Sequence, residues 1–289
     1  RMVMTTDGYV ISPLFFPGGD IGSLAVHGTI NDVAMAGARP LYLSASFILE
    51  EGFALADLER VAMSMGAASR AAGVPVVTGD TKVVERGKAD GVFIITTGVG
   101  VVPAGLDLSA EKARPGDRVI VSGTLGDHGV AVMSRRQNMS FETDVVSDSA
   151  ALHGLVAAMV EAAAPGLRVM RDPTRGGLAA TLNELARQSR VGFLIEESAV
   201  PIRPAVAAAC ELLGLDPLHV ANEGKLVAIV APEFADTLLA AMRAHPLGRD
   251  AALIGAVVAD DHCFVQMKTA FGGGRIVDWL SGDQLPRIC

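Results

Sequence analysis

Apolar residues in the first part of the chain recur at helical spacing in two stretches, each with a start and a stop signal. After Asp20, whose short acidic side chain suits a helix N-cap, an apolar face continues as far as Gly37. A second helix is predicted over residues 55–72, where Gly73 ends it. The apolar positions that define the two faces are Leu24, Val26, Ile30, Val33 and Met35, then Leu58, Val61, Met65 and Ala68.

Runs of β-branched and other apolar residues predict the strands. In the first part we expect strands over residues 9–14, 41–49, 74–77 and 92–102, the third short, buried and leading into Thr78-Gly79-Asp80-Thr81. Further strands are expected near 119–122, 191–196, 225–230 and 252–259, and further helices near 127–137, 149–164, 177–189, 204–213 and 233–244. This mixture of elements predicts an α/β (α+β) chain.

The length of 289 residues suggests two domains. Pro103-Ala104-Gly105 and the turn Pro115-Gly116, which lies in a charged stretch, indicate a linker. We expect an N-terminal domain over residues 1–103 and a C-terminal domain over residues 104–270. Residues 271–289 begin Gly-rich and show no regular pattern, so we expect a flexible tail that ends in Cys289.

Composition and charge exclude several classes of protein. The net charge is −8 and no Lys/Arg cluster is present, which argues against a nucleic-acid partner. No uninterrupted apolar run reaches the length of a membrane span, and the first residues lack the regions of a signal peptide. Three widely spaced cysteines suit a reducing cytoplasm. Because the chain starts at Arg1, we expect that an N-terminal piece is missing.

Three aspartates lie beside small residues at positions that suit the ends of strands or helices: Asp7, Asp32 and Asp80. Mg²⁺ prefers oxygen ligands, and nucleotide phosphates bring Mg²⁺ with them. The alternative is that Asp7 and Asp80 are turn residues and that Asp32 is a surface charge on a helix.

The common nucleotide-binding signatures are missing. The chain has no P-loop, and Gly98-Val99-Gly100 lacks the third glycine of the dinucleotide fingerprint. The segment Asp172-Pro173-Thr174-Arg175-Gly176-Gly177 precedes a predicted helix and could leave backbone N–H groups open to an anion. A simple loop and helix cap explain it equally well.

Seven segments together resemble the HypE family of hydrogenase maturation factors, within the superfamily of aminoimidazole ribonucleotide synthetase, selenophosphate synthetase and thiamine-monophosphate kinase. They span nearly the whole chain, and the terminal Cys after Pro-Arg-Ile is what separates HypE from its relatives. The segments are TTDGYV (5–10), PLFFPGGDIGSLAVHGTINDVAMAGARP (13–40), FILEEGF (47–53), GDTKVV (79–84), DPTRGGL (172–178), NEGKLV (222–227) and PRIC (286–289).

The resemblance implies a two-domain aminoimidazole ribonucleotide synthetase-like fold. Its mixed N-terminal domain dimerises through its strands, its C-terminal domain is α+β, and ATP lies in the cleft between them. By motif, the ATP-binding residues would be Asp7, Asn31, Asp32, Asp80, Thr81, Asp172 and Arg175. Of these, Asp7, Asp32 and Asp80 would hold Mg²⁺, while Lys82 and Glu223 would stand where Cys289 arrives.

The activity that the resemblance implies is ATP-dependent dehydration of an S-carbamoylated Cys289 to a thiocyanate, which supplies cyanide to the iron of [NiFe] hydrogenase. Phosphorylation would make the carbamoyl oxygen a leaving group, and Glu223 is the candidate base. The implied partners are a HypF-like carbamoyltransferase, a HypC–HypD complex and a second copy of the chain.

Several alternatives stay open at this point. Lys82 could be a solvated strand residue and Glu223 a turn residue. The chain could be a small-molecule ligase or kinase of the same superfamily, or a non-catalytic maturation scaffold. The family also carries a Gly-rich segment before Thr5-Thr6-Asp7, and its absence here leads us to expect weak nucleotide binding by this form.

Overall fold

The computed structural model describes residues 1–137, 145–280 and 287–289, and these build two large sheets flanked by helices. The strands are β1 Met2–Tyr9, β2 Phe15–Phe16, β3 Gly19–Asp20, β4 Arg39–Glu50, β5 Val76–Val84, β6 Val92–Val101, β7 Arg118–Val121, β8 Leu167–Arg171, β9 Gly192–Glu196, β10 Val227–Val230, β11 Ala252–Val258, β12 Val265–Lys268 and β13 Gly274–Ile276. The helices are α1 Ile21–Met35, α2 Leu55–Ala72, α3 Asp127–Arg136, α4 His153–Ala163, α5 Gly177–Ser189, α6 Pro204–Leu213 and α7 Ala235–Ala244. Single 3-10 turns lie at Glu197–Ala199, Pro217–His219, Pro232–Phe234 and Pro246–Gly248.

The first half contains a four-stranded sheet in the order β1-β6-β4-β5. β6 runs antiparallel to both of its neighbours, whereas β5 is parallel to β4 and lies at the edge. Successive side chains of a strand point to opposite faces. In β1 this places Thr5, Asp7 and Tyr9 on the covered face and leaves Met2 and Met4 exposed.

Helix α1 packs against the covered face of this sheet and is buried on most of its sides. Asp20 is its N-cap, as predicted: the Asp20 carboxylate accepts from the backbone N–H of Gly22 and Ser23, and the Asp20 N–H donates to the Ser23 hydroxyl. Such a cap stabilises a helix by about 1 kcal/mol. A Cβ at Gly28 would lie 2.3 Å from the Tyr9 hydroxyl oxygen, so only glycine lets helix and sheet approach this closely.

The second half contains a seven-stranded sheet in the order β13-β12-β9-β11-β7-β10-β8. All of its pairs are antiparallel except β12 with β9. The central strands carry continuous apolar runs, as in Val119-Ile120-Val121 and Val227–Val230, because both faces of the sheet are covered.

Three sequence predictions about elements are wrong. The first strand is Met2–Tyr9 rather than residues 9–14. Its covered positions include the polar residues Thr5 and Asp7, so the sequence lacks the alternation of apolar and polar residues that marks a strand. The buried strand predicted over residues 74–77 is instead the exposed Val76–Val84, since an edge strand needs a partner on one side only. Within the stretch expected to lack regular structure, Gly274–Ile276 forms β13. Pro286 lies outside the described residues.

The largest apolar cluster joins the two halves of the chain. Tyr9 and Leu24 belong to it, and so do Val130, Val206 and Ile288 from the second half. The two halves of the chain are therefore held together through side chains and not only through the connecting segment.

No helix among the described residues combines the length and apolar character needed to cross a membrane.

Candidate active site

A cavity of about 500 Å³ lies between the two halves. Its walls come from β1 and α1 of the first half and from two loops of the second. Six of the residues singled out from the sequence line it: Asp7, Asp32, Asp172, Arg175, Glu223 and Cys289.

Strand β1 and helix α1 present two carboxylates to this cavity. The Thr5 hydroxyl donates to the Asp32 carboxylate over 2.9 Å, which ties the strand to the helix. The Asp7 carboxylate accepts from the backbone N–H of Gly8 at 2.7 Å. Burial, followed by the negative charge of Asp172, raises the pKa of Asp32 to about 6. Asp32 is therefore an acid that a cation in the cavity would help to ionise.

The third acid comes from the loop between β8 and α5. Burial is the main reason why the pKa of Asp172 is raised. The loop turns into α5 at Gly176 and Gly177, which have φ of +73° and +59°. A Cβ at Gly177 would lie 2.5 Å from the Leu218 carbonyl oxygen. Glycine at this position therefore allows the loop to pack closely against the segment around Leu218.

Glu223 is buried at the floor of the cavity. The pKa of Glu223 is raised well above its usual value. The largest cause is burial, and the charges of Asp172, Asp148 and Asp7 follow. Its Oε1 atom has no hydrogen-bond partner among the residues described. Burial and the neighbouring acids therefore favour the protonated form of Glu223.

A buried ion pair supports Glu223 from behind. Asp148 accepts from the Glu223 backbone N–H at 3.1 Å through Oδ1 and binds the Lys225 ammonium at 3.1 Å through Oδ2. A Cβ at Gly224 would lie 1.7 Å from the Asp148 carbonyl oxygen, so this contact requires glycine. Sequence reasoning missed Asp148 and Lys225 as parts of the site. Lys225 stood inside the NEGKLV segment, whereas nothing in the sequence marked Asp148.

Asn31 does not line the cavity. Its Nδ2 donates to the carbonyls of Ala150 and Glu223 at 3.0 and 3.2 Å, and its Oδ1 accepts from the Leu152 N–H at 2.8 Å. Its amide therefore fastens α1 to the segments around Glu223 and Leu152.

Asp80, Thr81 and Lys82 lie apart from the cavity of their own chain. They are exposed on β5, which is separated from β1 by two strands and hence by about 14 Å. The Lys82 ammonium and the Asp80 carboxylate form an ion pair at 2.9 Å. In the part of the chain that is described, no three Asp, Glu, His or Cys side chains are grouped closely enough to hold a metal ion.

Two profiles of one family match this chain. The one described as AIR synthase related protein, N-terminal domain, matches residues 1–102, and its C-terminal counterpart matches residues 114–268. The chain therefore belongs to the AIR synthase related proteins, and the predicted two-domain α/β fold is confirmed.

Within this class the similarity narrows to one kind of protein. The chain is 78% identical to carbamoyl dehydratase HypE of Bradyrhizobium diazoefficiens over 289 residues, which are 100% of this chain and 84% of that protein. A crystal structure of hydrogenase maturation protein HypE in complex with ATP is 52% identical, with a TM-score of 0.96 over 100% of this chain and 87% of that chain. A HypE–HypF complex gives 48% identity and a TM-score of 0.93 over 96% of this chain and 90% of that chain. The chain is thus a member of the carbamoyl dehydratase HypE family, as its motifs predicted.

Proposed function

We propose that this chain dehydrates its own S-carbamoylated Cys289 to a thiocyanate at the expense of ATP, as the source of cyanide for the iron of a [NiFe] hydrogenase. Membership of the HypE family makes the chain a carbamoyl dehydratase with an ATP-dependent role in hydrogenase maturation. The observation that carries the proposal for Cys289 is its position in the wall of the acidic cavity.

The reaction balances as thiocarbamate plus ATP giving thiocyanate, ADP, inorganic phosphate and one proton. The carbamoyl oxygen takes the terminal phosphoryl group of ATP, ADP leaves, and the nitrogen loses its first proton. The C–O bond then breaks as phosphate departs and the second N–H proton is removed, which leaves Cys289 Sγ bonded to C≡N. Phosphorylation is needed because the oxygen of an amide is a very poor leaving group.

Glu223 is the proposed base for the N–H protons. Burial and the charges of the neighbouring acids raise the pKa of Glu223, which makes its carboxylate a stronger proton acceptor.

The acids of the cavity fit a hard divalent cation. Oxygen ligands suit Mg²⁺, and burial, followed by the negative charge of Asp172, raises the pKa of Asp32, so that a cation beside it would stabilise its ionised form. We infer that Asp7 and Asp32 hold Mg²⁺ together with the nucleotide phosphates and with Asp80 of a second copy. Bound Mg²⁺ would supply charge neutralisation on the transferring phosphoryl group.

A homodimer through the first sheet is part of the proposal. The uncovered face carries the exposed apolar side chains of Met2, Met4, Tyr42 and Val77, and β5 has an open edge. An apolar sheet face beside an open edge favours pairing with another chain. A second copy docked there would bring Asp80, Thr81 and Lys82 toward a cavity that they do not reach in their own chain.

The proposed nucleotide site combines this acidic wall with Asp172 and Arg175 at the start of α5. The ATP and HypF complexes of the relatives support the nucleotide and a HypF-like carbamoyltransferase as ligand and partner of this chain. A HypC–HypD complex is the proposed receiver of the cyanide. A reducing compartment such as the cytoplasm suits a reaction that needs a thiol at Cys289.

Mass spectrometry of the C-terminal peptide tests the function. The full chain is carbamoylated by HypF, ATP is added, and the peptide that contains Cys289 is followed through a single turnover. We expect the loss of one water from the carbamoylated peptide, no carbamoylation of a Cys289→Ser variant, and normal turnover of a Cys263→Ser control.

Three outcomes separate the alternatives. ATP consumption without loss of water from the peptide would refute the dehydratase. Turnover of a small-molecule substrate by the Cys289→Ser variant would favour a ligase or kinase. A loaded chain that consumes no ATP would favour a scaffold.

A further inference from the structure

Hydrogen-bond donors from several parts of the fold hold the last three residues of the chain. The backbone N–H of Val10 donates to the Cys289 carbonyl at 3.1 Å, and that of Ser12 donates to the Arg287 carbonyl at 3.2 Å. The tail thus runs antiparallel to residues 10–12, since its acceptors step back from 289 to 287 as the donors step forward.

His128 forms a hydrogen bond with the Ile288 carbonyl, which lies between the other two. Its Nε2 lies 2.8 Å from the Ile288 carbonyl oxygen, which can only accept, so Nε2 carries the proton and donates. Burial lowers the pKa of His128, which keeps the ring neutral. Its Nδ1 therefore accepts from the Ser147 hydroxyl at 2.8 Å, and this bond fixes the ring.

Arg136, from the same helix α3, clamps the tail to the opposing segment. Its guanidinium donates to the Ser12 carbonyl at 2.6 and 2.9 Å and to the Arg287 carbonyl at 2.9 Å. One guanidinium group thereby joins the tail to residues 10–12, with which the tail pairs. Hydrogen bonds from a charged donor are stronger than those between neutral groups.

Side chains add to these backbone contacts. Ile288 is 3% exposed and packs into the apolar cluster that joins the two halves. The Arg287 guanidinium donates to the Val10 carbonyl at 2.8 Å and forms an ion pair with Asp90. Each of the last three carbonyls therefore accepts a hydrogen bond, and the apolar side chain of Ile288 is buried.

We propose that His128 and Arg136 are positioning residues that dock the C-terminal Arg287-Ile288-Cys289 segment in the cavity. They set the fraction of time that Cys289 spends there. This role rests on the proposed function, because a sulfur that is loaded by another protein and then processed in the cavity must alternate between released and docked positions. The donors on α3 determine the balance between the two.

Alkylation of the full-length protein by iodoacetamide measures this balance. The docked Cys289 is half-buried, so its alkylation rate should rise with the released fraction. The buried Cys210 belongs to the same apolar cluster and reports any general opening of the fold. Peptide mass spectrometry follows both cysteines in one sample.

We expect Arg136→Met and His128→Phe each to raise the alkylation rate of Cys289 about tenfold and to leave that of Cys210 unchanged. Arg136→Lys, which keeps a charged donor, should recover part of the shielding. The matched control is Arg135→Met on the same helix, where the side chain is exposed, and it should behave like the unmodified protein. The double variant should release the tail most and slow single-turnover dehydration of the carbamoylated chain, because the docked state is then a minor population.

Unchanged alkylation of Cys289 in both single variants would overturn the positioning roles. A parallel rise at Cys289 and Cys210 would do so as well, since it would mark a general loss of structure. If the variants change the alkylation of Cys289 as expected but the unmodified chain never loses water from its carbamoylated tail, the dehydratase fails and the docking role stands.

Discussion

The acidic cavity should make the nucleotide-free protein less stable at neutral pH than it would be without its charges, and Asp32→Asn tests this. Asparagine has nearly the same shape as aspartate, and its carbonyl oxygen can still accept the hydrogen bond from Thr5. The substitution therefore removes a charge and keeps the packing. We expect the variant to be more stable than the unmodified chain, although it should lose activity.

The magnitude follows from the pKa of Asp32, which is raised from 3.8 to about 6 by burial and then by Asp172. Between these two values the folded chain binds more protons than the unfolded chain, so the free energy of unfolding falls as the pH rises through this window. A shift of about 2 units corresponds to about 3 kcal/mol above pH 6. Because the side chain keeps some contact with solvent, we expect Asp32→Asn to recover roughly 1 to 3 kcal/mol at pH 8.

Urea denaturation of the nucleotide-free protein at pH 8 and pH 5 measures the effect. The stabilisation should shrink to about half at pH 5, which lies inside the titration window of Asp32. Asp261→Asn is the matched control, because Asp261 is exposed and does not line the cavity. A variant that is less stable at pH 8, or equally stabilised at both pH values, would refute the electrostatic reasoning.

Three further substitutions follow from the structure. Gly224→Ala should lower the free energy of unfolding by more than about 2 kcal/mol, measured by urea denaturation, because the new Cβ would lie 1.7 Å from the Asp148 carbonyl oxygen. Asp20→Ala should lower it by about 1 kcal/mol in the same assay, since it removes the cap that joins Asp20 to Ser23. Glu223→Gln should slow single-turnover dehydration about 10²- to 10⁴-fold, followed by peptide mass spectrometry, and should leave carbamoylation of the tail unchanged.

Each of these has an outcome that would contradict it. A fully stable Gly224→Ala variant would mean that the chain at Asp148 moves aside easily. Asp20→Asn, which keeps a capping oxygen, should be close to the unmodified chain, and an equal loss in both Asp20 variants would rule out capping as the cause. Dehydration by Glu223→Gln at the normal rate would remove Glu223 as the base.

Sequence patterns predicted best what depends on neighbouring residues. Helix α2 was predicted with the observed bounds of Leu55–Ala72, since its apolar spacing and the glycine after it are local signals. The Asp20 cap was likewise readable from adjacent residues. Strand β8 was missed, because a five-residue strand with a charged residue at its end, Leu167–Arg171, has no local signature.

The site was predictable only in part, and for a related reason. Motif resemblance found Asp7, Asp32 and Glu223, which the fold brings to one cavity. Asp148 escaped notice because its role depends on Lys225, which is 77 positions away and meets it only after folding. Asp80 was assigned to the same group by motif, but within a single chain the order of strands keeps it at the far edge of the sheet.

The apolar cluster that joins the two halves has a consequence for how the molecule comes apart. Ile288 at the end of the chain and Tyr9 near its start share one core with residues from both halves of the chain. Neither half can lose its packing without exposing the apolar surface of the other. Heating should therefore give one calorimetric peak whose van't Hoff and calorimetric enthalpies agree, although the chain is built from two modules.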